Sequence, residues 1–277
     1  MTHIFLKTPV SYYGGKQNLA EKILTLIPPH QLYCEPFTGG AAIYFAKRPS
    51  EVEILNDTNG ELMNFYRVVQ QQYDALYDEI KLTLHSRDQH RQAWVVYNNP
   101  DLFSEVKRAW ALWILCSQSF GSMIDGGWGY DVVSNTVAQK LQSKIENFTR
   151  QLVRRLQNCQ LESCDALKII RARDSERSFF YCDPPYFNSD CGHYDGYSEQ
   201  DFENLLSLLT KIKGRFLLSA YPSQVLARYV KKQGWAEQAL VQSLAVNAKN
   251  RKQKLKTEML VANYPFHLAQ HYSELLF

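Results

Sequence analysis

Residues Gln31 to Asp57 read QLYCEPFTGGAAIYFAKRPSEVEILND, and this stretch decides the fold. Gln31-Leu32-Tyr33-Cys34-Glu35 has the composition of a short strand. Pro36-Phe37-Thr38-Gly39-Gly40 is a turn, Ala41 to Ala46 suits a helix, and Val52-Glu53-Ile54-Leu55-Asn56 is a second strand that ends at Asp57. A strand, glycine turn, helix and strand in that order make a crossover unit, and a crossover brings its two strands side by side in parallel.

Upstream, Leu19, Ala20, Ile23, Leu24 and Ile27 mark a helix over 17–27 that Pro28-Pro29 stops. Downstream, the alternation lapses. Leu62, Phe65, Tyr66, Val69, Tyr73 and Leu76 predict a helix from Glu61 to about Leu84, and 106–119 is a second, apolar helix. Val137, Leu141, Ile145, Phe148, Leu152 and Leu156 predict a third. Between the last two lies Phe120 to Thr136, with Gly121, Gly126, Gly127 and Gly129, which suits a hairpin and not a helix. Alternation then resumes. Strands are expected at 161–163, 179–182, 216–219, 237–244 and 259–263, with helices after Asp165 and over 199–212 and 223–232. The expected fold class is α/β, a doubly wound Rossmann-like sheet carrying an inserted, mainly helical domain. The expected division is 1–63 with 158–277 as the sheet domain, and 64–157 as the insertion.

Composition narrows the function. The 277 residues are 45% hydrophobic, enough for a sizeable core. The net charge of +3 excludes neither a nucleic acid nor a neutral partner, because affinity follows local patches. No run of eighteen apolar residues occurs, and the N-terminal residues lack a signal-peptide pattern, so a soluble, cytoplasmic protein with no membrane partner is expected. Cys34, Cys116, Cys159, Cys164, Cys182 and Cys191 form no CxxC pair and do not combine with the histidines at zinc-ligand spacing. Reduced thiols and no metal are expected. Seventeen Tyr, 14 Phe and 5 Trp fill core, and tyrosine-rich surfaces also suit stacking on bases.

The sharpest chemical signal is Asp183-Pro184-Pro185-Tyr186, directly after the strand Phe179-Phe180-Tyr181-Cys182. Ligands of open α/β sheets bind beyond the carboxyl ends of strands. Two consecutive prolines fix φ, hold the preceding residues extended and remove two N–H donors. What remains is a rigid set of acceptors, the Asp183 carboxylate and nearby carbonyls, suited to a planar exocyclic amine, with the Tyr186 ring available to stack on a base. A rigid strand-to-loop turn with a partly buried tyrosine is the plain alternative. Glu35-Pro36-Phe37-Thr38-Gly39-Gly40 is the second signal: glycines let a cofactor approach the backbone, and the next helix offers free N–H groups. Any tight turn between strand and helix could use the same residues. Asp57, at the end of the second strand, is placed to accept bonds from ribose hydroxyls. Asp165 could reach an adenine amino group or simply cap a helix. The absence of a full GxGxxG and of a Walker lysine argues against a dinucleotide or triphosphate.

Taken in order, these pieces resemble the Dam-type (D12 class) DNA adenine-N6 methyltransferases, which use S-adenosylmethionine. The resemblance is carried by Tyr12-Tyr13-Gly14-Gly15-Lys16, Glu35-Pro36-Phe37-Thr38-Gly39-Gly40, Asn56-Asp57-Thr58-Asn59-Gly60-Glu61-Leu62, Asp165, Asp183-Pro184-Pro185-Tyr186 and Glu258-Met259-Leu260-Val261-Ala262-Asn263-Tyr264. It implies methyl transfer from S-adenosylmethionine, leaving S-adenosylhomocysteine, to N6 of a flipped adenine in double-stranded DNA, with no metal. Tyr12, Lys16, Glu35, Pro36, Phe37, Gly39, Gly40, Asp57, Asp165 and Asp183 would then surround the cofactor. Asp183, Pro184, Pro185 and Tyr186 would form the catalytic motif, and 64–157 would read the target. The resemblance also implies a monomer, nucleoid-associated when bound to DNA, that could serve a restriction-modification pair with a cognate restriction endonuclease. Related motifs serve RNA N6-adenine and DNA N4-cytosine methylation, and a non-catalytic DNA-binding protein could keep the fold. The intact Asp183 and glycine turn favour the enzyme.

Two departures stand out. The family often has glycine where this chain has Ala41, which would narrow the cofactor turn slightly. The family's usual hairpin sequence is not visible in 120–136, so a GATC target is not inferred. Lys249, Arg251, Lys252, Lys254 and Lys256 lie between the last two strands. If the strand over 237–244 runs parallel to the sheet, the loop after it projects at the edge that holds Asp183, and these residues become candidate DNA phosphate contacts. A solvated loop is the alternative. Asn135 and Gln118 are the amide side chains near 120–136 that could read bases.

Overall fold

The computed structural model describes residues 6–188, 196–243 and 255–269. In chain order the first elements are α1 (Ala20–Leu24), β1 (Leu32–Glu35), α2 (Ala42–Ala46) and β2 (Val52–Asn56). Six helices follow: α3 (Gly60–Gln71), α4 (Tyr73–Lys81), α5 (Arg87–Asn98), α6 (Glu105–Gln118), α7 (Thr136–Glu146) and α8 (Arg150–Leu156). Then come β3 (Cys159–Glu162), α9 (Ala166–Arg173), β4 (Ser178–Cys182), α10 (Glu199–Leu209), β5 (Arg215–Ala220), α11 (Gln224–Gln233), β6 (Ala236–Ser243) and β7 (Leu255–Ala262). Among the described residues seven strands form one sheet in the order β3-β2-β1-β4-β5-β7-β6. That is the doubly wound α/β class read from residues 31–57. Among the described residues no helix is long and apolar enough to cross a membrane.

The chain forms two compact units, Met1–Leu24 with Thr38–Cys164, and Thr25–Phe37 with Asp165–Phe277. In the second unit β1, β4 and β5 run parallel, with Leu32 opposite Ser178 and Phe179 opposite Arg215. β7 is antiparallel to both β5 and β6, so β6 runs in the direction of β5. All five residues of β4 are buried, as expected for a parallel strand covered on both faces. Strand order reverses between β1 and β4, and the carboxyl ends of both lie at one edge. Such a reversal leaves a crevice where α/β proteins bind ligands. β6 therefore ends at that same edge, so the parallel condition set for it holds. Lys249, Arg251, Lys252 and Lys254 themselves lie outside the described residues, and Lys256 belongs to β7.

In the first unit β2 and β3 pair in parallel, Glu53 opposite Cys159. The helical block is built around α6, which packs against α3, α4 and α5. Its residues from Ala109 to Cys116 are all buried, the pattern of a helix covered on every side. A buried ion group ties α8 to β2. Arg155 holds both carboxylate oxygens of Glu53, Lys47 Nζ reaches Glu53 Oε1 at 2.5 Å, and the Arg155 guanidinium lies over the Tyr44 ring.

Several expected helices are shorter or split. Residues 17–27 form a 3₁₀ turn at 17–19 followed by α1, because the residue before proline disfavours helical geometry and the chain must turn into β1. The helix expected over 61–84 breaks at Gln72, whose backbone leaves the helical region while its N–H closes α3 on Val68 O. The helix expected over 137–156 divides into α7 and α8, with Asn147 Nδ2 bonded back to Ser143 O. α5 was not expected at all: only His90, Ala93 and Val96 are buried along it, too sparse a stripe to stand out.

Candidate active site

At the carboxyl edge of the second unit, β1 delivers Glu35, Pro36 and Phe37, and β4 delivers Asp183, Pro184, Pro185 and Tyr186. Glu35 is buried and its Oε1 accepts the Tyr33 hydroxyl at 2.7 Å. Phe37 is half-buried and meets Tyr197 edge-on, ring centroids 6.3 Å apart. Asp183 is half-buried and Pro184 buried. The Tyr186 hydroxyl lies 3.0 Å from Asp183 Oδ1, 3.0 Å from Glu258 Oε1 and 3.3 Å from Ser219 Oγ. Ser219 also donates a short bond to Glu258 Oε1. Burial first, then the Asp183 and Glu258 carboxylates, holds the Tyr186 hydroxyl well above its ordinary pKa, so it stays a proton donor. Tyr181, in β4, is raised for the same reasons, with Glu35 adding to Asp183 and Glu258. The Tyr186 ring is 6% exposed and has Tyr221 against it, centroids 4.3 Å apart. A base can stack on it only when part of that cover opens. Asp165 is exposed and caps α9, accepting the Lys168 N–H at 2.9 Å.

The first unit carries the other predicted residues. The Gly39 N–H donates to Asp57 Oδ2 at 3.0 Å, and the Asn59 N–H to Asp57 Oδ1 at 3.0 Å. Burial raises the Asp57 pKa, against these backbone donors, which lower it. Gly39 has φ +47, and a side chain there would press on the Tyr12 ring; at Gly40 a Cβ would come within 3.1 Å of Val10 O. The glycines therefore serve the close approach of residues 10–12 as well as any ligand. The half-buried Tyr12 accepts a bond from Asn59 Nδ2 at 3.3 Å, and buried Lys16 donates from Nζ to Gly14 O at 2.9 Å. Ala41 has φ +54 and ψ +35. The position thus asks for a left-handed backbone, and glycine suits it for that conformation rather than for width.

The segment after α6 is pinned at its base. Ser119 bridges Trp128 in antiparallel fashion, and the Gly129 N–H donates to Gln118 O at 2.7 Å. Gln118 is buried: its Oε1 accepts the Ser86 N–H and Trp128 Nε1, and its Nε2 donates to Leu84 O. It clamps the loop and does not reach out to read bases. Beyond the clamp, Val132 and Val133 are 88% and 98% exposed.

Sequence reasoning missed Ser219 and any role for Glu258. The available signal was a polar residue bordering each of two apolar runs, Ser219 after Phe216-Leu217-Leu218 and Glu258 before Met259-Leu260-Val261.

The sequence pattern of the D12 class N6 adenine-specific DNA methyltransferases matches residues 12–259. The chain belongs to this family. A type II methyltransferase, M1.LlaDCHI, from Lactococcus lactis subsp. cremoris is 26% identical over 94% of this chain and 96% of its own length. The DNA N-6-adenine-methyltransferase of Escherichia phage P1 is 25% identical over 74% of this chain, which spans 28% of that protein. A solved structure described as precorrin 8w decarboxylase, from Methanobacterium thermoautotrophicum, overlaps 93% of the chain and 95% of its own with a TM-score of 0.43 and 11% identity. As a D12 class enzyme the chain is an adenine-N6 DNA methyltransferase, with DNA as substrate and S-adenosylmethionine as methyl donor.

Proposed function

We propose that this D12 class enzyme acts on an adenine turned out of duplex DNA, and that Asp183 and Pro184 hold its amino group. The observation that carries the reading is Asp183: it follows a fully buried parallel strand at the reversal of strand order, and the Tyr186 hydroxyl fastens its Oδ1 at 3.0 Å. Adenine N6 is a poor nucleophile because its lone pair is delocalised into the ring. The Asp183 carboxylate accepts one N6–H and the Pro184 carbonyl the other, which favours a more tetrahedral nitrogen with a directed lone pair. Positioning and electrostatics then supply most of the acceleration. Opening the cover of Tyr186 would let its face stack on the base, offsetting an extrusion cost of a few kcal/mol.

The residues fit S-adenosylmethionine: the Gly39 and Asn59 amides fix the Asp57 carboxylate beside the glycine turn, where it can accept bonds from ribose hydroxyls. We assign its binding to Tyr12, Lys16, Gly39, Gly40 and Asp57 in the first unit, and to Glu35, Pro36, Phe37, Asp165 and Asp183 in the second. The bound cofactor supplies an electrophilic methyl group on a sulfonium sulfur. No metal takes part in this scheme.

Residues 64–157 form the target-reading insertion in this proposal. Support comes from the exposed Val132 and Val133 beyond a clamped base, with Phe120 and Tyr130 also exposed. The basic residues Lys249, Arg251, Lys252, Lys254 and Lys256 contact phosphates. Likeness to a type II methyltransferase supports a restriction-modification role beside a cognate endonuclease, and we take the enzyme to be a monomer in the cytoplasm.

Asp183→Ala tests the central step, with methylation of DNA and calorimetric S-adenosylmethionine binding measured together. Methylation should be lost while cofactor affinity stays within about tenfold, as expected for an interaction made chiefly in the transition state. A variant keeping more than about a tenth of wild-type kcat would remove Asp183 from this role.

A further inference from the structure

We propose that Glu258 is a positioning residue that orients Asp183 through the Tyr186 hydroxyl; the inference rests on the reading of Asp183 given above. Glu258 stands in β7 immediately before its apolar run Met259 to Ala262, and is 2% exposed. A buried carboxyl is costly unless hydrogen bonds compensate it, and here two buried hydroxyls converge on Oε1, from Ser219 and Tyr186. Tyr186 has one hydroxyl hydrogen and a carboxyl oxygen at 3.0 Å on either side. That hydrogen goes to one carboxyl oxygen at a time, yet the Tyr186 oxygen stays within hydrogen-bond distance of Asp183, Glu258 and Ser219 whichever takes it, so movement toward any one lengthens its contact with another. The three anchoring groups come from the end of β4, from β5 and from β7. The Asp183 carboxylate is thus referred to the rigid sheet, although it stands at the start of a loop. A buried hydrogen-bonded set of this kind is worth having where a side chain must be held to a fraction of an ångström.

A glutamate that only stabilised the strand would affect folding and leave the chemical step alone. The test is a double-mutant cycle read in single-turnover methylation, with Tyr186→Phe keeping the ring and removing only the hydroxyl. Tyr186→Phe and Glu258→Ala should each slow methyl transfer about tenfold, the size expected for losing one hydrogen bond to a charged group. Affinities for DNA and S-adenosylmethionine should stay within about twofold, and the double variant should be no slower than Tyr186→Phe alone. Glu258→Gln, which can still bond both hydroxyls, should recover to within about threefold of wild type. An unchanged rate in Tyr186→Phe overturns the proposal, and so does a Glu258→Ala loss that persists undiminished in the Tyr186→Phe background. If Glu258→Ala does not fold, Tyr186→Phe and Glu258→Gln decide the matter: a normal rate in the first, or a tenfold loss in the second, overturns it. Asp183→Ala is run in parallel. Activity in that variant would sink the reading of Asp183 itself, whereas an inactive Asp183→Ala beside normal Tyr186→Phe and Glu258→Ala would sink only the positioning role.

Discussion

Ala41→Gly, set beside Ala42→Gly, measures the strain in the turn that leads into α2. Both alanines are buried, at 1% and 6% exposure, so each substitution removes one buried methyl, worth about 0.8 kcal/mol. Each also adds freedom to the unfolded chain, costing about 0.4–1 kcal/mol more. These terms cancel between the two variants. The difference is the backbone: Ala42 begins α2, whereas Ala41 has φ +54 and ψ +35. It is held there by its N–H to Thr38 O at 2.8 Å and by its carbonyl, which accepts the Phe45 N–H at 3.0 Å. A left-handed conformation costs a residue with a Cβ about 1–2 kcal/mol, and glycine escapes it. Ala41→Gly should therefore be nearly neutral, within about 1 kcal/mol of wild type, while Ala42→Gly should lose about 1–2 kcal/mol. Urea unfolding followed by fluorescence gives both stabilities. The reasoning fails if the two variants unfold at the same midpoint, or if Ala41→Gly is the weaker of the pair.

Two further outcomes follow from named residues. Removing the charge at Glu53 leaves Arg155 and Lys47 as buried cations without their shared partner, so Glu53→Gln should cost about 3–5 kcal/mol at neutral pH. Burial alone would raise the Glu53 pKa, but Arg155 and Lys47 outweigh it and hold the carboxyl below its ordinary value. Its contribution is then fully present above that ordinary value, about 4.3, and is lost as pH falls through the lower folded one. Denaturation midpoints of wild type and Glu53→Gln should converge on acidification below about pH 4.3; a constant gap down to about pH 3 would contradict the ion group. Replacing Arg251, Lys252 and Lys254 with Gln should flatten the slope of log K for DNA against log salt by about 2–3 units, with the methylated sequence unchanged. A wild-type slope would show that these residues do not touch phosphate.

What could be read from sequence here was whatever is written locally. The strands β1, β2, β4 and β5 are short, mainly apolar runs followed within two residues by Pro or Asp, and each appeared near its expected place because a parallel strand buried on both faces needs nothing else. The Asp183-Pro184-Pro185-Tyr186 motif was legible for the same reason: its rigidity comes from two adjacent residues. Helix ends were less legible, since Gln72 and Asn147 break helices whose apolar periodicity runs on past them. Gln118 was misread because an amide at the end of an apolar helix looks free, while its partners Ser86, Leu84 and Trp128 stand ten or more residues away. Ala41 was read for its size, when its demand lies in a backbone angle that no composition displays.

Glu258 is the limiting case of that rule. Its two hydroxyl partners stand 39 and 72 residues earlier in the chain, and only the antiparallel return of β7 beside β5 brings them to it. In the sequence it stands just before the apolar run Met259-Leu260-Val261-Ala262, with Lys256 two residues upstream, which ordinarily argues for an exposed edge. β7 is not an edge strand: it lies between β5 and β6, so an inward-facing carboxyl there must find partners or be neutralised. The partners it finds are those that hold Asp183. A polar residue in a central strand of a sheet like this one is therefore better read as a pointer toward the carboxyl edge than as a blemish in the core, and the double-mutant cycle on Tyr186 and Glu258 tests that reading directly.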